Sequence, residues 1–181
     1  MSFRFHPLEL QGLLLVEPDV FPDERGWFLE GWRHDTFTDQ GIAPFVQDNI
    51  SRSGKHVLRG LHFQRPPAAQ GKLVHCLSGS IMDIAVDVRQ SSHTFGRWYA
   101  ENLTSENHRM LYLPPGFAHG FLVLSDNALV HYKVTTPYAP QYDGGVRWND
   151  PSIGIDWSVK SPILSAKDAA LPFLPDAEVF P

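Results

Sequence analysis

The chain has 181 residues with a net charge of −5, 43% of them apolar and 19% charged, which is the balance of a globular protein with a sizeable core. No basic run appears, which argues against a large nucleic-acid surface. No stretch of about 18 apolar residues appears either, which argues against a membrane span.

In chain order, the opening MSFRFHPLEL lacks the long apolar stretch of a signal peptide. Short β-rich runs follow, beginning with GLLLVEPDVFPDERGWFLEGW. RHDTFTDQGI then offers Asp35 as an N-cap and Gly41 as a stop, predicting one short helix. Next come VLRGLHFQ and GKLVHCLSG, the latter carrying Cys76, the only cysteine. A single cysteine makes no internal disulfide and reads as a small buried hydrophobe in a reducing compartment, so a cytoplasmic location is expected. In SIMDIAVDVR, Met82, Ile84, Val86 and Val88 share one face while Asp83, Ala85 and Asp87 share the other. LSGS is a tight turn between two strands. WYAENLT, MLYLPPGFAHGFLVLS and LVHYKVT complete the strands. Near the end, LSAKDAALPFL predicts a last helical turn capped by Ser165, with Asp168 at the N3 position of a capping box, where Glu or Gln is usual. Fourteen glycines and fifteen prolines fall mostly between the runs, and no repeat or linker interrupts them. Strands spaced this way predict an all-β chain: one domain over 1–181, a two-sheet jelly roll of the cupin kind.

VLRGLHFQ raises the first chemical question. Strict alternation puts Arg59 and His62 on opposite faces of the strand. A bulge at Gly60 would turn both the same way, as glycine inside a strand pattern often does. Spacing alone fits a satisfied core histidine as well as a functional one. The second feature is LPPGFAHGF, where Pro114, Gly116 and His119 match the P-x-G-x-x-H core of the second cupin motif. The H-x-H of metal-binding cupins is absent, since Phe63 and Gln64 follow His62. His75 and His131 stand at no ligand spacing, so no metal is expected. The third is ALVHYKVTTPYAP, which puts Tyr132 on an inward apolar face with Val130 and Val134 and leaves Tyr138 beyond the strand end. Arg25, Lys72 and Lys167, taken singly, read as surface cations.

Together, ERGWFLE, FVQDNISRS, LRGLHFQ, QGKLVHCLSGSIMDIAVDVRQSSHTFG, LPPGFAHGFLVLS, YKVTTPYAP, WNDPSIGIDW and LSAKD closely resemble the dTDP-4-dehydrorhamnose 3,5-epimerase family. The likeness runs in order through nearly the whole chain. It implies a cofactor-free isomerase that inverts C3 and C5 of dTDP-4-keto-6-deoxy-D-glucose to give dTDP-4-keto-L-rhamnose. C–H bonds next to a ketone are acidic, so such a site needs a base, an opposed acid and a cation for the enolate oxygen. By resemblance His62 is the base, Asp168 the carboxylate that orients it, Lys72 the cation and Tyr132 the acid. Imidazole suits the base because its unperturbed pKa is about 6.5. The resemblance also implies substrate contacts at Arg25, Glu30, Gln47, Asn49, Arg59, His119, Tyr138, Asp143 and Lys167. Arg25, Arg59 and Lys167 would serve the diphosphate, and Tyr138 the thymine ring. Asp143 stands where the family usually has glutamate, and Phe63 where tyrosine is commoner. Family members are homodimers with an N-terminal strand across the partner's sheet. GLLLVEPDVF suits that exchange and would serve equally as an internal strand. The rival readings are a mono-epimerase of a related nucleotide sugar, a metal-dependent cupin and a non-catalytic sugar-binding cupin.

Overall fold

A computed structural model describes residues 2–181. The alternating runs form thirteen strands: β1 (Phe3–Pro7), β2 (Leu14–Pro18), β3 (Val20–Asp23), β4 (Gly26–Leu29), β5 (Gln47–Gly54), β6 (Leu58–Gln64), β7 (Lys72–Ser78), β8 (Ser80–Asp87), β9 (Trp98–Thr104), β10 (Met110–Leu113), β11 (Phe117–Val123), β12 (Asn127–Val134) and β13 (Asp143–Gly145). Two sheets of order β1-β2-β10-β7-β12-β5 and β13-β6-β11-β8-β9 make the jelly roll, with β3 and β4 as a separate hairpin. The strand suited to exchange, β2, lies inside its own chain's sheet, between β1 and β10. LSGS does not close a hairpin. It carries the chain from one sheet to the other through Gly79, at φ 79°.

Alternation sorts side chains between three apolar layers. Val74, Cys76, Leu111, Phe117, Phe121 and Val130 meet in the barrel interior. Leu58, Ile84, Val86, Ala118 and Leu122 point out of the five-stranded sheet and are covered by Trp157, Leu174 and Phe180 of the C-terminal segment. Phe63 belongs to this outer layer and packs its ring 5.8 Å from that of Phe180. On the outside of the other sheet, Phe37 covers Val16, Leu73 and Met110. The apolar face of IMDIAVDV is therefore the outer one, and Asp83 and Asp87 face inward, fully buried. Buried carboxylates need partners. Asp87 finds Arg89, Ser92 and Thr94, and although burial pushes its carboxyl up, these hydrogen bonds prevail and hold it at about 2.

Helix α1 (His34–Thr38) follows Arg33, which is extended and gives no side-chain cap. The expected Asp35 cap is thus corrected: the helix starts earlier, and Asp35 sits inside its first turn, where a carboxylate suits the helix dipole. Gly41, at φ 76°, stands where the chain leaves the helix. Helix α2 (Ala166–Ala169) begins as predicted, with the Ser165 hydroxyl accepting the Asp168 N–H at 3.0 Å. The reciprocal half of the box is replaced, because the Asp168 carboxylate turns away to His62. Among the described residues, no helix is long and apolar enough to cross a membrane.

Candidate active site

Strand β6 carries the first two site residues, and Gly60 decides where they point. Arg59 pairs with Phe121 and His62 with His119, so β6 takes three steps where β11 takes two. Gly60 has φ 134°, and a Cβ there would lie 2.5 Å from the Gly120 Cα, so only glycine fits this close approach. The bulge breaks the alternation, and Arg59 and His62 line the same cavity.

That cavity, of about 280 Å³ at one end of the barrel, is also lined by Ser51, Lys72, His119, Tyr132, Lys167 and Asp168. A second hollow of about 310 Å³ adds Gln47, Asn49, Gln70, Tyr138 and Asp143. The two share His62, Lys72, Tyr132 and Lys167, and form one cleft. Its walls come from β5, β6, β7, β11, β12 and β13 with α2 across one side.

His62 Nε2 lies 2.7 Å from Asp168 Oδ1. Asp168 is buried, which pushes its carboxyl up. The hydrogen bond and charge of His62, with the Gly60 N–H and Ser165, outweigh this and leave it below the ordinary carboxylate value. An ionised partner on Nε2 leaves Nδ1 as the open nitrogen of a neutral ring. Lys72 donates from Nζ to the His62 carbonyl at 3.1 Å. Burial lowers its ammonium to about 8, against the opposing pull of Asp143 and Asp83. Tyr132, on the inner face of β12, is pushed up by burial, with Arg59 opposing. His119 Nε2 lies 2.7 Å from Asp83 Oδ1.

The outer cleft is polar. Gln47 donates from Nε2 to Asn49 Oδ1 at 2.8 Å, so both amides share one side, and the Gln47 Oε1 accepts the Tyr138 N–H at 2.9 Å. Arg59 donates from Nε to the Ser53 hydroxyl at 2.9 Å. Asp143 pairs with Lys167 and accepts the Tyr138 hydroxyl at 3.3 Å. Tyr138 leaves its ring exposed at the rim.

Arg25 and Glu30 are not brought to the cleft by their own chain. Arg25 sits at the tip of the β3–β4 hairpin, its side chain 85% exposed and paired with Asp23. Glu30 pairs with Arg33 at 2.8 Å. His75 and His131 are cross-strand partners on the outer face of their sheet, beside Trp27 and Trp32. The lining residues Ser51 and Gln70 escape the sequence reading, as does Asp83, which is fully buried against His119. Ser51 continues the inward row of Gln47 and Asn49 along β5, a signal that alternation alone could have supplied. Asp83 stood on the less apolar face of IMDIAVDV, which gave no hint of being the interior. Among the described residues, no group of three His, Cys, Asp or Glu side chains converges to hold a metal ion.

A base nitrogen, a phenol and a buried ammonium around one cleft can move a proton at a carbon next to a carbonyl. Fold and site together define a cupin-type barrel with a proton-transfer centre. The chain belongs to the dTDP-4-dehydrorhamnose 3,5-epimerase family, whose model matches residues 7–176. A dTDP-4-dehydrorhamnose 3,5-epimerase from Salmonella typhimurium is 52% identical over 168 residues, covering 91% of this chain and 92% of the relative. The crystal structure of the enzyme of that name from Sulfolobus tokodaii superposes with a TM-score of 0.94 at 46% identity, covering 100% of both chains. A dTDP-6-deoxy-D-glucose-3,5-epimerase from Legionella pneumophila, solved with dTDP-4-keto-L-rhamnose, gives 0.93 at 43% identity, covering 97% of this chain and 94% of that one.

Proposed function

We propose that this chain is itself a dTDP-4-dehydrorhamnose 3,5-epimerase, inverting C3 and C5 of dTDP-4-keto-6-deoxy-D-glucose. The observation that carries the reading is the His62–Asp168 pair facing the same cavity as Lys72 and Tyr132. His62 removes the proton from the carbon beside the ketone. The Lys72 ammonium stabilises the enolate oxygen, and Tyr132 returns a proton from the other face. Asp168 keeps the proton on Nε2, so that Nδ1 is the basic atom. Carbon–hydrogen bonds break and re-form with no net redox change, so the sequence needs no electron carrier.

Arg59 and Lys167 serve the diphosphate, His119 a substrate oxygen, Gln47 and Asn49 the nucleotide, and Tyr138 stacks on the base. Asp143, shorter than glutamate, holds Lys167 and Tyr138 and so shapes the nucleotide end. Arg25 and Glu30 enter the reading through a homodimer, in which the exposed hairpin of one protomer reaches its partner. Residues 1–181 act as one domain, and the location is the cytoplasm.

The test is solvent-deuterium wash-in followed by NMR. Deuterium is expected at both C3 and C5, and His62→Asn is expected to abolish it. Incorporation at neither carbon by wild type defeats the proposal, and incorporation at one carbon makes the chain a mono-epimerase.

A further inference from the structure

His62 and His119 are direct cross-strand partners on β6 and β11. Each places Nε2 2.7 Å from a carboxylate oxygen. Among the described residues, neither Nδ1 has a hydrogen-bond partner, and both rings line the cavity. The geometry is the same, but the two carboxylates live in different surroundings.

Asp168 has other donors. The Gly60 N–H approaches its Oδ2 at 3.4 Å, and the Ser165 side chain also favours its charged form. Those contacts and His62 overcome its burial and keep it ionised. Asp83 sits in mid-β8, fully buried, and its Oδ2 has no hydrogen-bond partner among the described residues. A buried carboxylate short of donors is costly to keep charged. Burial pushes its carboxyl above the ordinary value, Glu101 on β9 adds to that, and His119 with Lys72 on β7 oppose it. The other ionisable groups lining the cavity are Arg59 and His62 on β6, Tyr132 on β12, and Lys167 and Asp168 on α2; of these, Asp168 already takes up the His62 Nε2.

Counting protons turns this contrast into a difference of function. A pair holding one proton keeps it on the Nε2–Oδ1 line and presents a bare Nδ1, a base. A pair holding two keeps one on that line and carries the other on Nδ1. This is so whether the pair is imidazolium with carboxylate or imidazole with carboxylic acid.

We infer that His119 and Asp83 form a proton-rich donor pair, with Asp83 a positioning residue that aims a protonated His119 Nδ1 at an oxygen of the bound ketosugar. It complements the proton-poor His62–Asp168 pair on the adjacent strand. Two neighbouring histidines are thereby set to opposite duties by their carboxylates, the divergence that lets one site hold an acid and a base together. The assignment of the ketosugar as the acceptor rests on the epimerase reading.

The test is imidazole ¹⁵N NMR of the full chain labelled at histidine, at pH 7 without substrate, with His119→Gln to assign the signals. His119 is expected to carry a proton on Nδ1 and His62 to carry none there. A bare His119 Nδ1 in wild type overturns the inference, even if no Asp83 variant folds. In kinetics, His119→Gln is expected to lower kcat/KM by roughly 100-fold. Asp83→Leu is expected to lower it at least tenfold as the ring loses its anchor, and to add nothing in the His119→Gln background. Losses that multiply in the double variant overturn the role given to Asp83. A protonated Nδ1 in a wild type that epimerises nothing sinks the epimerase reading and leaves the proton assignment standing.

Discussion

Lys72 shows how a single side chain can be tuned by its place. Its ammonium is buried at the start of β7, and desolvation penalises the charged form more than Asp143 and Asp83 favour it. The resulting value of about 8 lies close to working pH. The cation is present below that value and lost above it, so enolate stabilisation should fade as the pH rises. A kcat/KM profile is expected to fall on its alkaline side near pH 8, and Lys72→Gln to be slow at all pH values with that limb gone. Asp168 has the opposite sign. Its carboxyl is depressed in the fold, so the His62 pair adds stability above the ordinary carboxylate range and loses it as acid titrates the folded group. Pro114, Gly116 and His119 match the second cupin motif in the sequence, and in the fold that histidine lines the cavity. The partner of that histidine, Asp83, was illegible, because it is 36 residues away and only the β8–β11 register brings the two together.

At the scale of elements, the bulge in β6 and the short α2 helix assemble the base. Gly60→Ala would force a side chain into a left-handed conformation and against the Gly120 backbone. A loss of roughly 1–3 kcal/mol is expected in denaturant unfolding, with turnover falling as Arg59 and His62 lose their shared direction. Ser165→Ala removes the one side-chain cap of α2. About 1 kcal/mol of stability should go with it, read from the urea midpoint. Turnover should drop several-fold, because the same turn holds Asp168 against His62. The capping signal in LSAKD and the glycine inside VLRGLHFQ were both readable, since each follows from local backbone chemistry. The Asp35 cap was misread because this helix follows Arg33 with no side-chain cap, so an acceptor side chain does not mark its first residue.

The whole molecule presents one face that water does not favour. Phe21, Trp27 and Phe28 on the hairpin, together with Ile50 and Leu77, are exposed. Trp27, Leu29, Trp32, Leu73, Leu77 and Met110 line a groove of about 330 Å³ on the outside of the six-stranded sheet. Apolar surface gathered in this way marks a contact surface, in keeping with the proposed homodimer. Light scattering is expected to give twice the chain mass. Phe28→Glu with Ile50→Asp should shift the protein to monomer and lower activity, since Arg25 and Glu30 would then have no partner cleft to enter. A monomeric wild type with full activity would remove both residues from the substrate site.

What the sequence determined by itself is what short-range chemistry controls. Period-two alternation specified an all-β chain, and prolines and glycines specified where the strands break. Eight ordered motifs specified the family. The tertiary structure decided which face of each strand is the interior and which carboxylate each histidine receives. IMDIAVDV is the clearest case, because its more apolar face points outward under the C-terminal segment and its aspartates point into the barrel. Both faces of that strand are buried, so hydrophobicity could not choose between them. His62 and Asp168 stand 106 residues apart in the chain, yet 2.7 Å apart in the fold. Strand register and the return of the C-terminal segment make that contact, and neither is encoded within any single stretch of the sequence.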